Sequence, residues 1–295
     1  MKPILSTRDL SRIFQVNESS VKRWADMGVL HCFRTPGGHR KFTVEEVLRF
    51  AREQKFALDD EALRLLGVSG RFSRAPGPRE LEALGDDLFD ALTRQNSDAG
   101  SRLLLEALAS HLSIETICDC VVNRAVSRVN ELRASGQMEA YEERIAAAKL
   151  GEALVRLSDA LGPVPTAQIH ALMACVPDEV NDLDLRCARL LLQRHGWRIT
   201  YLGGPLPPGS VESAVRRLRP NVVFVSAATT GGELRTKVES IARATHETGA
   251  RFVLVGRAFD GVGAVIFPGV DLITRSLADL EPFVEEMSPG SERTG

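Results

Sequence analysis

The stretch PDEVNDLDLR, residues 177–186, joins an apolar run, IHALMACV, to an amphipathic one, LRCARLLLQRHGW. A short apolar run before a turn reads as a buried strand, and an amphipathic run after it as a helix. The same alternation continues towards the C-terminus. RITYLG, NVVFVSAA, RFVLVGRA and DLITRS have the character of strands, while SVESAVRRLRP, ELRTKVESIARATHETG and LADLEPFVEEM have that of helices. Alternating strands and helices build a doubly wound parallel sheet, in which a ligand binds at the carboxyl ends of the strands. Those ends are PDEVNDLDLR, GGPLPPG, SAATTGG and VGRAF.

The first of them is unusual, with four carboxylates (Asp178, Glu179, Asp182, Asp184), one amide (Asn181) and no glycine. At the start of a helix, free amides and the macrodipole favour negative charge, which is reason enough for the acids. A calcium loop would need the glycine and the distal glutamate that DEVNDLDLR lacks.

Upstream, residues 80–162 carry nearly unbroken helical periodicity with breaks at NSDAG, HLS and ASGQ. Four helices are expected, near 80–95, 98–110, 114–134 and 138–161, with Ser97 and Ser113 as N-caps. Short connections make them an antiparallel bundle. SGRFSRAPGPRE, rich in Gly, Pro, Ser and Arg, reads as a linker over 69–79.

Charge is unevenly spread. The chain as a whole has a formal net charge of −2, yet residues 1–55 hold eleven Lys or Arg against six Asp or Glu. A basic head on an acidic body is expected to meet a polyanion through the head alone. Within it, STRDLSRIF starts with Ser6 and Asp9 in capping-box spacing and turns Leu10, Ile13 and Phe14 to one side. QVNESSVKRWADMGVL adds a turn, an N-cap at Asn17 and a second helix that sends Val21, Trp24 and Ala25 inward before Gly28 ends it. Such a helix-turn-helix would lay its second helix in the major groove, with Glu18, Ser19, Ser20, Lys22 and Arg23 towards DNA. LHCFRTPGGHRKF then reads as a hairpin whose basic tip, Arg34, His39, Arg40 and Lys41, suits phosphate. TVEEVLRFAREQ is a capped third helix.

SVKRWADMGVL followed by RTPGGHRKF resembles the winged DNA-binding domain of MerR-type and excisionase-type regulators. A winged helix-turn-helix (1–68), a four-helix bundle (80–162) and a flavodoxin-like sheet domain (163–295), in that order, resemble the cobalamin-dependent light-sensing repressors of the CarH and LitR kind. The last two domains also resemble the cobalamin module of methionine synthase. The resemblance implies a turn of Asp or Glu, any residue, His, two residues, Gly, whose His ligates cobalt and whose Gly leaves room for the nucleotide tail. The matching positions are Glu179, Asn181 and Asp184. It also implies an upper cover of Trp, nine residues, then Glu-His, which falls here on Arg133, Glu143 and Arg144. Ser226 and Gly256 keep the family's residues, whereas Arg257 stands where a second glycine is usual.

A carboxamide is a poor substitute for imidazole on cobalt, and Asp184 puts a charge where bare backbone is needed. The chain is therefore expected to be a non-enzymatic regulator that binds double-stranded DNA as a homo-oligomer. Its sensor domain would hold no cobalamin and would act through protein contacts or oligomerisation. Two other readings stay open. One is a sensor of haem or another tetrapyrrole, for which His170 on the first strand is the candidate; the other is a corrinoid methyl carrier. No apolar run approaches the roughly 18 residues of a membrane span, and no signal-peptide pattern opens the sequence, so a cytoplasmic protein is expected. Cys32, Cys118, Cys120, Cys175 and Cys187 lack metal spacing and are expected as free thiols.

Overall fold

The computed structural model describes residues 4–56, 58–67, 76–94, 98–110, 112–162, 168–227, 233–259 and 267–288. Ser97, His111, residues 229–232 and most of the linker lie outside them. The chain divides into two compact units, Met1–Pro163 and Val164–Gly295.

The first unit opens with β1 (Leu5–Ser6) and α1 (Thr7–Ile13), where Ser6 and Asp9 close a reciprocal capping box. α2 (Glu18–Asp26) follows after a short turn. Asn17 occupies its N-cap position without a side-chain hydrogen bond. β2 (Phe33–Arg34) and β3 (Arg40–Phe42) form the hairpin, and β1 pairs antiparallel with β3 to make a sheet ordered β1-β3-β2. α3 (Val44–Glu53) is capped by Thr43, whose side chain accepts the Glu46 N–H. Leu10, Ile13 and Val21 are buried as expected, but Trp24 and Ala25 are only half-buried. Trp24 lies over an aromatic cluster, with its ring centroid 4.9 Å from Phe50, while Phe14 sits 5.3 Å from Phe50 and 5.1 Å from Phe56. A further short helix, α4 (Asp60–Leu65), packs on α1. The sequence reading left it out, although Asp59 caps it through the Ala62 N–H.

α5 (Pro78–Thr93), α6 (Ala99–Ala109) and α9 (Ala140–Leu161) occupy the expected places in the bundle. The third stretch runs as α7 (Ile114–Thr116), a π-helical turn (Ile117–Val122) and α8 (Asn123–Ala134), with Ser113 capping its start. The π turn puts Cys118 inside and Cys120 outside, and among the described residues none of the five cysteines is in a disulfide. Head and bundle pack together where α3 meets the end of α9. There Gly162, at φ +86°, lies so close to α3 that a β-carbon would come within 2.8 Å of Arg49 Cγ.

The second unit is a five-stranded parallel sheet made of β4 (His170–Cys175), β5 (Arg198–Gly203), β6 (Val222–Ser226), β7 (Arg251–Val255) and β8 (Leu272–Thr274). Its order, β5-β4-β6-β7-β8, is the flavodoxin-like one, reversing beside β4. α10 (Leu183–Arg194) and α13 (Leu277–Met287) pair on one face. α11 (Ser210–Leu218) and α12 (Leu234–Glu247) pair on the other. Alternation along the strands serves both layers. Leu172, Ala174, Val223, Val225, Phe252 and Leu254 enter the core with Val211, Val215, Val238 and Ile241. On the α10 side, Trp197 is buried against Phe224, and its Nε1 donates to Ser288 Oγ at 2.8 Å. Among the described residues no helix is long and apolar enough to cross a membrane.

Candidate functional site

The outer face of α2 offers Ser19, Lys22 and Arg23, all exposed, with Ser20 half-buried. Lys22 Nζ lies 4.0 Å from Glu18 Oε2, an exposed pair one turn apart that contributes little. Beside it stands the hairpin, closed by Gly38 N–H donating to Thr35 O at 2.8 Å and Thr35 N–H donating to His39 O at 3.0 Å. His39 and Arg34 are exposed and Lys41 is half-buried. The structure thus brings the nine expected DNA-facing residues, Glu18 among them, onto one helix and the hairpin next to it.

Arg40 differs from the rest. Its side chain is only 18% exposed, and its Nη2 donates to Asp26 at the last position of α2. Arg34 Nη2 reaches the same Asp26 oxygen from 3.8 Å. Asp26 is a residue that the sequence reading passed over, because a lone acid at the end of a basic helix carries no signal of its own.

A second missed residue is Arg49, buried on α3. It donates to Glu46 Oε2 at 2.9 Å, to Val29 O at 3.0 Å and to Glu53, and its Nη2 lies 3.2 Å from His31 Nδ1. Its hydrogen bonds to Glu46 and Glu53 outweigh its burial and hold the guanidinium charged far above any working pH. The base of the hairpin, α3 and the end of α9 meet at this one cation, with Arg52 Nη1 adding a 3.5 Å contact to Ala160 O.

In the second unit the acids after β4 are spoken for one by one. Asp178, at φ +70°, pairs with Lys237 at 3.1 Å. Glu179 Oε1 accepts the Asn181 N–H at 2.9 Å. Asp182 accepts from Arg186 Nε at 2.8 Å and from the Tyr201 hydroxyl at 3.0 Å. Burial, then the Asp182 charge, holds that hydroxyl well above the usual tyrosine range. Burial first, with Asp182, Glu179 and Asp184 behind it, pushes the Cys175 thiol up to about 12. The acids are thus held by specific partners as well as by the helix start. The N-capping contact comes from Asn181, whose Oδ1 accepts the Leu183 N–H at 3.1 Å, rather than from Asp182.

Asp184 is oriented towards the ends of β6 and β7. A β-carbon added to Gly256, at φ +119°, would come within 2.9 Å of Asp184 Oδ2, 2.7 Å of Ala227 O and 3.3 Å of Ser226 Oγ. Ser226 is fully buried, and among the described residues its hydroxyl has no hydrogen-bond partner. The three positions Asp184, Ser226 and Gly256 therefore converge at the carboxyl end of the sheet, while Arg257 opens a 3-10 turn, Arg257–Phe259. His170 lies at the opposite, amino-terminal end of β4, with Nε2 2.8 Å from Thr200 Oγ1. Burial and the nearby Arg198 lower its proton affinity.

In the bundle, Arg133 Nε donates to Glu143 Oε2 at 2.8 Å and Nη1 to Met138 O at 2.6 Å, which ties the end of α8 to the start of α9. Arg144 is exposed. Among the described residues no group of three or more His, Cys, Asp or Glu is arranged to hold a metal.

Residues 4–55 match the family model of a helix-turn-helix domain. Over 227 residues, 75% of this chain and 76% of the relative, the sequence is 25% identical to the HTH-type transcriptional repressor CarA of Myxococcus xanthus. It is 28% identical to the HTH-type transcriptional repressor CarH of the same organism over 213 residues, 68% of this chain and 70% of the relative. The fold also resembles that of the Methanosarcina barkeri monomethylamine corrinoid protein, at a TM-score of 0.57 and 16% identity over 70% of this chain and 99% of that one. The chain thus joins a helix-turn-helix domain to a cobalamin-binding-like fold and is homologous to the CarA and CarH repressors over most of its length.

Proposed function

We propose that the protein is a cytoplasmic, DNA-binding transcriptional regulator whose sheet domain keeps the cobalamin-binding fold without His-on ligation. It acts without catalysis, as an oligomer on DNA, through contacts between copies or with a regulatory protein. The observation that carries this reading is the state of Asn181. Its carboxamide oxygen accepts the Leu183 N–H at the start of α10, and its nitrogen has no lone pair to offer a metal. The Asp184 carboxylate lies against Gly256 and Ser226, where a nucleotide tail would need bare backbone. The residues present do not fit cobalamin held from below by imidazole.

A second reading, a regulator that senses a different small molecule, draws on the buried Ser226 hydroxyl, which has no partner among the described residues, since buried polar groups are normally satisfied. Titration with adenosylcobalamin in the dark, followed by desalting, is expected to leave no corrin absorbance on the protein. The double variant N181H/D184G should gain affinity, because it restores both a donor and room. Micromolar or tighter retention by the native protein, with a change in oligomer on illumination, would overturn the proposal.

A further inference from the structure

We infer that Asp26 and Arg40 form a joint that sets the hairpin against the second helix, so that Arg34, not Arg40, is the hairpin arginine that meets phosphate. The inference rests on the reading that the head binds DNA, and its observations are independent of the sensor domain.

Arg34 and Arg40 are directly opposed in the antiparallel pairing of β2 with β3, so both side chains leave the same face of the hairpin. Like charges placed opposite one another destabilise a ladder this short. Asp26 Oδ1 lies between them, bonded to Arg40 and 3.8 Å from Arg34. The two arginines are not equivalent. Arg40 is 18% exposed, with its Nε buried, whereas Arg34 is 59% exposed. A guanidinium that is covered and already bonded to a carboxylate has little left to offer DNA; one that is open and only loosely paired can turn to a phosphate oxygen.

An acid at this place also needs a reason. It stands at the C-terminal end of α2, where the macrodipole disfavours negative charge, and beside a surface that must approach a polyanion. Both effects count against Asp26 unless it fixes something. What it fixes is the angle between the helix that enters the groove and the hairpin that flanks it. Asp26 is therefore a positioning residue for DNA binding.

The sign of one substitution separates this from simple electrostatics. Removing a negative charge next to DNA should tighten binding if Asp26 only repels phosphate. If Asp26 is a joint, D26N should weaken binding to every duplex, by about fivefold for the loss of two partly exposed ion pairs. The slope of log affinity against log salt should stay unchanged, because no phosphate contact is lost. R40Q should behave the same way, and the double variant D26N/R40Q should be no worse than either single one, as expected of residues acting as one unit. D26E, which can still span both guanidinium groups, should restore most of the affinity. R34Q, in contrast, should flatten the salt slope by about one.

The measurement is fluorescence anisotropy of the full chain on duplex DNA at several salt concentrations, with thermal melts to verify that each variant is folded. Absence of salt-dependent duplex binding by the native protein would dismiss the DNA-binding reading itself. Native binding with D26N equal to or tighter than native, or a slope reduced by one in R40Q, would overturn the joint while leaving that reading intact.

Discussion

Phe50→Ala is expected to unfold the head and remove DNA binding while leaving the sheet domain folded. Phe50 is 1% exposed and sits among Phe14, Trp24 and Phe56, at centroid distances of 4.9 to 5.9 Å. Truncating such a ring costs about 3–5 kcal/mol, a large share of what a small domain possesses. The loss also falls on α3, which carries Arg49 and, through Arg52, a contact with Ala160 at the end of α9. The two tryptophans make the experiment readable. Trp24 reports the head, and Trp197, buried between β6 and the end of α13, reports the sheet. Denaturant titration of F50A should show the Trp24 transition at much lower denaturant and the Trp197 transition unmoved. A shift in the first transition worth less than about 1 kcal/mol would mean that the aromatic cluster does not hold the head together.

The second large effect is that of salt. Lys22, Arg23, Arg34 and Lys41 are the basic side chains that α2 and the hairpin present without burying them in a joint. If each neutralises one phosphate, two heads on one site make about eight contacts and a slope near −7, which is a loss of roughly 10⁴ in affinity between 50 and 200 mM salt. One head alone would give about half that slope, so the measurement also counts heads. A slope near −3.5 with a single protected half-site would show a monomer on DNA and remove oligomeric binding from the account.

Much of the architecture could be read from residue patterns. The five strands and the boundaries of α9, α11 and α13 follow from apolar runs and caps that act locally, and the parallel sheet follows from the alternation of strands with helices, while its flavodoxin-like order was implied only by the resemblance. Local rules also found Ser6, Thr43 and Ser113 at helix starts. What escaped was set by distant partners. Arg49 lies in an amphipathic helix full of charge, and only the approach of Val29, His31 and Gly162 makes it a buried hub. The hairpin was legible as basic, but which arginine was free depended on Asp26, fourteen residues before Arg40 and on another element. The π turn at Ile117–Val122 has no proline or glycine to announce it.

The turn after β4 shows both sides of this limit. Four acids at a helix start can be explained by the helix alone, yet two of them are placed by more specific partners: Asp178 by Lys237 on α12, and Asp182 by Arg186 one turn on and Tyr201 on β5. Asn181 was visible as a missing imidazole; its use as the cap of α10 required coordinates.

The central claim is that this head-and-sensor chain binds DNA and does so without cobalamin. Its most direct test is the anisotropy of a duplex recovered by selection from genomic DNA, measured with the full chain in the dark, in the dark with adenosylcobalamin, and with adenosylcobalamin after illumination. One salt-sensitive binding curve common to all three conditions is expected. Binding that appears only with adenosylcobalamin in the dark, and is lost in light, would contradict it.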